Sequence, residues 1–470
     1  MSGTDARSFD VVVIGGGSAG YAAALRLRQL GRTVALVERD RVGGTCLHRG
    51  CVPTKALLHG AEVADVVRNA AHVGVRAVFE GIDAETLGRF RDGIVAGKYK
   101  GLQGLLAARG VETIAGTATL EAASPGAAPR VRVGDDVFEG TDVVVATGGV
   151  TRTLGLAVGG RVLTSDEALA LDEVPSSVVV LGGGVIGVEF ASLWRSLGAD
   201  VTIVEALPRL LPTEDAASSK AIERAFRKRG ITVLTGTRFA SVDQDAEGVT
   251  VALEQAPDAA AREPLRASHA LVAVGRGPAT AGLGLEKAGV TLERGFVVVD
   301  ELLRTAAPHV WAAGDIVPGP QLAHRGFAHG ILVAEAIAGL SPRPVPDSTV
   351  PRVTYSDPEV ASVGLTTEQA TERYGADRIA VSEYNLAGNA RSEILGAAGF
   401  AKVIREVDGP VVGVHLVGRR VGELISEAQL VVGWEAHPED IAPYLHAHPT
   451  QGEALGEAFL SLAGKPLHGR

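Results

Sequence analysis

Residues 11–38 read VVVIGGGSAGYAAALRLRQLGRTVALVE. A short apolar, β-branched run gives way to glycines, then to a stretch with amphipathic helical spacing, then to a Gly and a second apolar run ending in Glu. Residues 178–205 read VVVLGGGVIGVEFASLWRSLGADVTIVE, and every aligned position lies 167 residues after its counterpart. Gly15, Gly17 and Gly20 fall on Gly182, Gly184 and Gly187, Gly31 on Gly198, and Glu38 on Glu205. Each copy predicts a strand, a tight turn, a helix and a second strand, which is a β-α-β unit.

The glycine spacing, G-x-G-x-x-G, has a physical logic. The first Gly makes the turn, the second lets backbone approach a pyrophosphate, and the third lets helix and sheet pack closely. The helix N-terminus offers free N–H groups and the positive end of a dipole to phosphates. A Glu ending the second strand can accept hydrogen bonds from an adenosine ribose. Two such units in register predict two dinucleotide sites in one chain, and the two sites need not hold the same ligand.

The length of 470 residues allows roughly three domains at about 150 residues each. Hydrophobic residues make up 46% and charged residues 21%, which fits a globular chain with large cores. A net charge of −10 argues against nucleic acid as a partner, and no polybasic run points to a membrane surface. No apolar run is long enough to span a bilayer. The start, MSGTDARSF, is short and polar and leads at once into a strand, so the expectation is a cytoplasmic protein.

Only two cysteines occur, Cys46 and Cys51, both within GGTCLHRGCVPTK. They are too few for a secreted disulfide framework. A close pair in a reducing compartment is more often catalytic, redox-sensing or metal-binding, although His48 and His59 do not give a zinc-finger spacing. The pair follows Glu38 by a few residues, and VPTKALLHGAEVADVV after Cys51 reads as a helix with Pro53 in its first turn. The thiols therefore lie where a loop enters a helix, within reach of the first nucleotide, and a helix start favours thiolate over thiol.

With these residues together, the chain resembles the FAD-dependent pyridine nucleotide-disulfide oxidoreductases, whose redox motif is GGTC-x4-C-x-P-[ST]-K. The resemblance implies that Cys46 and Cys51 form a disulfide against the flavin, Cys46 exchanging with substrate and Cys51 contacting the flavin as a thiolate. It covers nearly the whole chain. VVVATG, 143–148, resembles the strand closing the flavin domain, and VWAAGDIV, 310–317, resembles a second FAD motif in which Asp315 binds the ribityl chain. QLAHRGFAHG, 321–330, resembles the helix start that follows, with Ala323 near the flavin. LVAVGRGP, 271–278, resembles the strand closing the NAD domain, with Gly275 near the nicotinamide nucleotide. Lys55 resembles the lysine near flavin N5, and Glu189 its acidic partner. Gly44, Thr45, Gly116, Thr147, Gly148 and Gly314 complete the cofactor contacts that the resemblance implies.

Near the C-terminus stands HAHPTQGEALGEAFLSL. Thiol-disulfide exchange needs a base, because the thiolate is the attacking species. Histidine suits that role at neutral pH, and a carboxylate can orient it. His448 and Glu453 fit, although His446, His448 and Glu453 also read as capping and first-turn residues of a helix. HPT-x-x-E is the base motif of the family that the chain resembles, which favours His448 over His446. The resemblance further implies that this segment reaches into a partner subunit, so that a homodimer shares its active sites.

Within the family, Glu205 would repel a 2′-phosphate, which favours NAD over NADP. Arg209 lies further along, in ALPRLLP. The final GKPLHGR carries no cysteine, unlike branches with a C-terminal redox pair. GGGSAGYAAALRLRQLG, YSDPEVASVGLT and HAHPT read most like the branch that oxidises protein-bound dihydrolipoyl groups and reduces NAD. Several positions depart from that pattern: Gly149 and Val150 replace a Ser, Ala279 an Asn, and Phe327, Ala328 and His329 a more acidic run. Gln451 and Gly452 stand beside the base where Leu-Ser is usual, and are placed to alter substrate entry.

The expected fold class is α/β: two Rossmann-like dinucleotide-binding domains, for FAD and NAD, plus a C-terminal α+β dimerisation domain. The expected division is 1–148 and 276–347 for FAD, 149–275 for NAD and 348–470 for the dimer domain, with Pro-rich 342–351 as linker. The cofactors implied are FAD and NAD, with no metal. The partners implied are a second copy and the lipoyl domain of a 2-oxoacid dehydrogenase complex acyltransferase. One rival is an NAD(P)H-dependent reductase of another low-molecular-weight disulfide or of a quinone. Another is a binding or assembly subunit, which would have no need of Cys46, Cys51, His448 and Glu453 together.

Overall fold

The computed structural model describes residues 6–122, 126–254 and 263–469; the first five residues of the polar start and the last residue of GKPLHGR lie outside them. The chain forms two compact units. The first comprises residues 1–56, 88–152 and 276–347, the second 57–87, 153–275 and 348–470.

In the first unit, β1 (Arg7–Ile14) leads through the glycine turn into α1 (Ser18–Gln29) and back to β2 (Val34–Glu38). The two strands pair in parallel with Val11 opposite Val34 and Ile14 opposite Val37. Strand 112–115 flanks β2, while strand 136–145 flanks β1 and pairs in turn with strand 310–312, all in parallel. The central stretches of these strands are apolar because both faces are covered there, and Val11, Val12 and Val13 have no exposed surface. Each such side chain contributes about 1.5–3 kcal/mol on burial. Helix 323–337 packs against α1 so closely that a Cβ on Gly330 would stand 2.3 Å from the Ala19 carbonyl.

The redox motif follows β2. Here a short helix, α2 (Gly44–His48), forms where a loop was expected, bounded by Gly43 and Gly44 at positive φ. It is followed by α3 (Cys51–Asn69), which has Pro53 in its first turn.

In the second unit the same construction recurs. It comprises β3 (Ser177–Leu181), α4 (Val185–Leu197) and β4 (Asp200–Val204). Val178 pairs with Val201 and Leu181 with Val204, so the repeat preserves even the strand register. Strands 232–234, 269–272 and 162–163 complete a parallel sheet. Gly31 and Gly198, aligned in sequence, both have positive φ just after their helices, the backbone that stops a helix.

Residues 57–87, expected on the flavin side, belong to this second unit. Leu57 and Ala61 are buried in one apolar cluster with Phe190 and Trp194 of α4. Asp65 accepts the Ser196 hydroxyl at 2.5 Å, and Arg68 donates to the Ser196 carbonyl. The second half of α3 is therefore bound by α4.

The C-terminal part is an antiparallel sheet in the order 352–354, 359–364, 411–418, 400–406, 379–385. Two short helices matter to the site: α5 (Ala390–Ile394) and α6 (Glu453–Leu462). Ser362, His415 and Lys402 stand in cross-strand register, all buried. Lys402 Nζ reaches Asp215 Oδ1 at 2.7 Å, and the amide and hydroxyl of Thr367 donate to Asp215 Oδ2. This buried, fully partnered carboxylate ties the second repeat to the C-terminal sheet.

Candidate active site

The three glycines of each loop divide as the spacing predicts. A Cβ on Gly15 would meet the Ala146 carbonyl at 2.4 Å, and one on Gly20 would meet the Gly15 carbonyl at 1.7 Å. In the second copy the matching clashes are Gly182 with the Ala273 carbonyl at 2.4 Å and Gly187 with the Gly182 carbonyl at 1.9 Å. The middle glycines are open: nothing lies within 4 Å of a Cβ on Gly184, and only Gly44 Cα, at 4.0 Å, near Gly17. Gly17 and Gly184 cap α1 and α4 without a side-chain hydrogen bond, so the first-turn N–H groups face open space. Each helix start is a candidate cradle for phosphate.

Glu38 and Glu205 have a task that residue type does not announce. Glu38 accepts the Gly16 amide at 2.7 Å and the Asp40 amide at 2.8 Å. Glu205 accepts the Gly183 amide at 2.5 Å and the Leu207 amide at 2.6 Å. Each carboxylate therefore fixes its own glycine loop, and each oxygen keeps a lone pair for a ribose hydroxyl. Arg209 is committed elsewhere, to Glu368 at 3.0 Å and to the carbonyls of Pro212 and Glu214.

The redox helix starts against the first cradle. Gly44 has φ +59°, and a Cβ there would stand 2.7 Å from the Gly17 Cα. Thr45 follows, and its carbonyl accepts the Arg49 amide at 2.8 Å. Cys46 then lies on α2 and Cys51 opens α3, with Lys55 one turn further on. The cysteines are thiols in this structure, and their side chains are hydrogen-bonded to each other. That hydrogen bond, with burial, pushes the Cys46 thiol up, outweighing the charge of Lys55 that pulls it down. The two thiols lie close enough for their titrations to be coupled.

On the other side of the sheet, Asp315 sits just after strand 310–312, in a turn where Gly314 has φ +79°. Burial raises its carboxyl, against the lowering charges of Arg276 and Arg325. Among the described residues its carboxylate accepts no hydrogen bond, a polar group suited to ribityl hydroxyls. Arg276 donates to the Gly149 carbonyl at 2.6 Å, and Arg325 to Asp347 at 2.6 Å. Neither cation was singled out from the sequence, although Arg276 lies inside LVAVGRGP and Arg325 inside QLAHRGFAHG. The departure at His329 has a structural reason: the ring is buried and accepts the Gly314 amide at 3.4 Å, and burial lowers its pKa to about 4, so it stays neutral.

Thr147 and Gly148 bracket Ala279: the Thr147 hydroxyl donates to the Ala279 carbonyl at 2.8 Å and the Gly148 carbonyl accepts the Ala279 amide at 2.9 Å. That contact is with backbone, so Ala in place of Asn leaves it intact. Gly116 is held by packing: its amide donates to the Glu38 carbonyl, and a Cβ would meet the Val133 side chain at 2.4 Å. Ala323 is the first residue of helix 323–337, whose N-cap, Leu322, offers no side-chain hydrogen bond. Gly275 has φ +101° and open space around it. Glu189 is buried on α4 and accepts the Tyr355 amide at 2.9 Å.

The candidate base is assembled as the spacing suggests. His448 Nδ1 and Glu453 Oε1 are 2.8 Å apart, and the second Glu453 oxygen accepts the Thr450 amide at 2.8 Å. Burial pushes the Glu453 carboxyl up, but the Thr450 amide and His448 together leave it below its ordinary value. The His448 ring is 74% exposed, so its outer nitrogen is open to an incoming thiol. His446 is separately engaged with Glu427 at 2.8 Å, a hydrogen bond that raises its pKa. Gln451 turns away from the base and donates to the Arg419 carbonyl at 2.9 Å, so it anchors the loop.

A profile described as pyridine nucleotide-disulphide oxidoreductase matches residues 9–330, and the profile of that family's dimerisation domain matches residues 350–459. A dihydrolipoyl dehydrogenase of Bacillus subtilis is 36% identical over 98% of this chain and 100% of its own length. One from Chlorobaculum tepidum is 40% identical over 97% of each. Among solved structures, LpdA from Mycobacterium tuberculosis gives a TM-score of 0.89 at 30% identity, covering 97% of this chain and 99% of its own. The HOCl-induced flavoprotein disulfide reductase RclA from Escherichia coli gives 0.83 at 28% identity, covering 96% and 99%. No helix among the described residues is long and apolar enough to cross a membrane.

Proposed function

The chain belongs to the pyridine nucleotide-disulphide oxidoreductase family, and on that footing we propose that it is a dihydrolipoyl dehydrogenase using FAD and NAD. The observation that carries the reading is the thiol pair Cys46–Cys51, side by side at the mouth of the first dinucleotide cradle. The net reaction takes a dihydrolipoyl group and NAD to a lipoyl group, NADH and a proton.

In the oxidised enzyme, Cys46 and Cys51 share a disulfide. A substrate thiolate attacks Cys46 Sγ, forming a mixed disulfide and breaking the Cys46–Cys51 bond. The second substrate sulfur attacks its partner sulfur, closing the lipoyl ring and releasing Cys46. This leaves the pair reduced, with two electrons gained: Cys46 is a thiol carrying the proton of the second substrate sulfur, and Cys51 is a thiolate. His448 takes the proton from the attacking thiol, and Glu453 holds the ring and stabilises its charged form. FAD, when bound, supplies the relay of that electron pair from the dithiol to NAD.

On this reading FAD is held by Gly15, Gly17, Gly20, Glu38, Gly44, Thr45 and Asp315, with Thr147, Gly148, Gly314 and Ala323 around it. The open position at Gly17 and the hydrogen-bond-free Asp315 carboxylate support the fit. NAD goes to Gly182, Gly184, Gly187, Glu205 and Gly275, and Lys55 and Glu189 serve the flavin edge. Gly116 supports the first cradle from behind. The four-part division at 149, 276 and 348 goes with these assignments.

The dimerisation-domain match supports a homodimer. We take the active site to be shared, with His448 of the partner subunit serving Cys46, and the substrate to be a lipoyl domain. We take the setting to be cytoplasmic, a reducing compartment in which a close cysteine pair is more often catalytic than structural. The likeness to RclA keeps reduction of another disulfide as the runner-up. Anaerobic addition of dihydrolipoamide to the FAD-loaded protein tests the primary reading. It should produce the long-wavelength thiolate-to-flavin absorption, and bleaching by NAD should follow. A flavin that stays oxidised would refute it.

A further inference from the structure

The loop that carries His448 has little to hold it from within. Pro449 has no N–H to donate, and His448 is mostly exposed. Thr450 is the hub. Its amide donates to Glu453 Oε2 at 2.8 Å, and its hydroxyl donates to the Ala447 carbonyl at 2.6 Å, closing the turn around Pro449. Its carbonyl accepts Nδ2 of Asn389 at 2.9 Å.

Asn389 comes from the segment between strand 379–385 and α5. It is 4% exposed and caps α5, its Oδ1 accepting the amide and the hydroxyl of Ser392, each at 2.9 Å. Its two polar atoms therefore do separate work: the oxygen holds α5 and the nitrogen holds Thr450. A chain of contacts runs from Asn389 through Thr450 to Glu453 and then to His448. Gln451 adds a parallel tie to the Arg419 carbonyl.

We propose that Asn389 is a positioning residue, acting through Thr450 to hold Glu453 and the His448 imidazole in the geometry for proton transfer. This rests on the reading of His448 as the base. Around the pair stand His446 with its partner Glu427, the Tyr384 hydroxyl, and Glu457 with its partner His468. The test leaves all of these unchanged.

Asn389→Ser keeps an N-cap oxygen for α5 but is too short to reach Thr450. The readout is kcat/KM for dihydrolipoamide with NAD against pH, beside the Tm. The base must be neutral to take a proton, so activity falls on the acid side as the ring becomes charged. A less well-held Glu453 stabilises the charged ring less, and the acid limb moves to lower pH. The expected shift is about half a pH unit, with a plateau about 5- to 10-fold lower. Ser392→Ala removes the hydroxyl that donates to Asn389 Oδ1 and that stands 3.5 Å from Gln451 Nε2, but keeps the Asn389–Thr450 bond, so it should lower Tm and leave the limb in place. If Asn389→Ser does not fold, Asn389→Thr offers the same loss with a β-branched cap, and the same shift is required of it. A lowered Tm with limb and plateau unmoved would overturn the proposal. His448→Gln separates the two failures: full activity in that variant removes the base reading itself, whatever Asn389→Ser does.

Discussion

Glu38 Oε2 stands 2.7 Å from the amide of Gly16, and the repeat reproduces that contact between Glu205 and Gly183 at 2.5 Å. The acidic residue ending each second strand thus has two roles. It braces the loop that must receive a pyrophosphate, and it presents lone pairs to a ribose. Glu205→Gln can keep one loop contact, but its amide nitrogen meets a backbone donor. We expect the KM for NAD to rise about tenfold, the loss of roughly one charge-assisted hydrogen bond. NADP should remain a poor substrate, because Arg209 is bound to Glu368 and to backbone carbonyls. Steady-state kinetics with both nucleotides checks this, and a gain in NADP use would be the unexpected outcome.

The glycines of one loop should respond oppositely to a single methyl group. Gly20→Ala places a Cβ 1.7 Å from the Gly15 carbonyl, so the helix must move off the sheet. A loss of about 3 kcal/mol or more is expected, read as a large fall in Tm or as insoluble protein. Gly17→Ala meets nothing nearer than 4.0 Å and should fold normally. Its methyl occupies the phosphate approach, so FAD affinity should fall about tenfold or more, measured by flavin release on dilution.

The two cysteines should separate by spectrum. Cys51→Ser should abolish the long-wavelength thiolate-to-flavin band, while Cys46→Ser should keep it and lose turnover. A band that survives Cys51→Ser would reverse the assignment.

Glu359 gives a pH prediction for stability. Burial is the main cause that raises its carboxyl from 4.5 to about 7, with Glu423 and Glu62 adding to the rise and the Gly422 amide and Arg420 opposing it. A folded pKa above the unfolded one means the contribution is fully present below about pH 4.5 and is lost as pH rises through 7. Glu359→Gln keeps a carbonyl oxygen for Gly422 and removes the titration. Its Tm should match the parent near pH 5 and exceed it by roughly 1–3 °C at pH 8. A gain that does not grow with pH would contradict the account.

Much of this was legible in the chain because the repeat leaves a periodic trace. Strand, turn, helix and strand follow from 11–38 and 178–205, down to the roles of the three glycines in each loop. The contacts that escaped are those made by backbone groups. Nothing in the residue types announces that Glu38 and Glu205 accept loop amides, or that Asn389 meets a carbonyl 61 residues away. The helix Gly44–His48 escaped for another reason: five residues between glycines carry no apolar period. The helix Cys51–Asn69 was legible, but its allegiance was not, because Leu57, Ala61, Asp65 and Arg68 find their partners on a helix more than 100 residues later. Gln451 could be placed beside the base, but only the fold shows it turned toward the Arg419 carbonyl.

The central claim is the substrate, and steady-state turnover of the FAD-loaded protein tests it most directly. Dihydrolipoamide with NAD should be compared with NADPH and a panel of other disulfides. The account predicts fast oxidation of dihydrolipoamide with NAD and little with NADP. Slow dihydrolipoamide turnover beside fast reduction of another disulfide would contradict it.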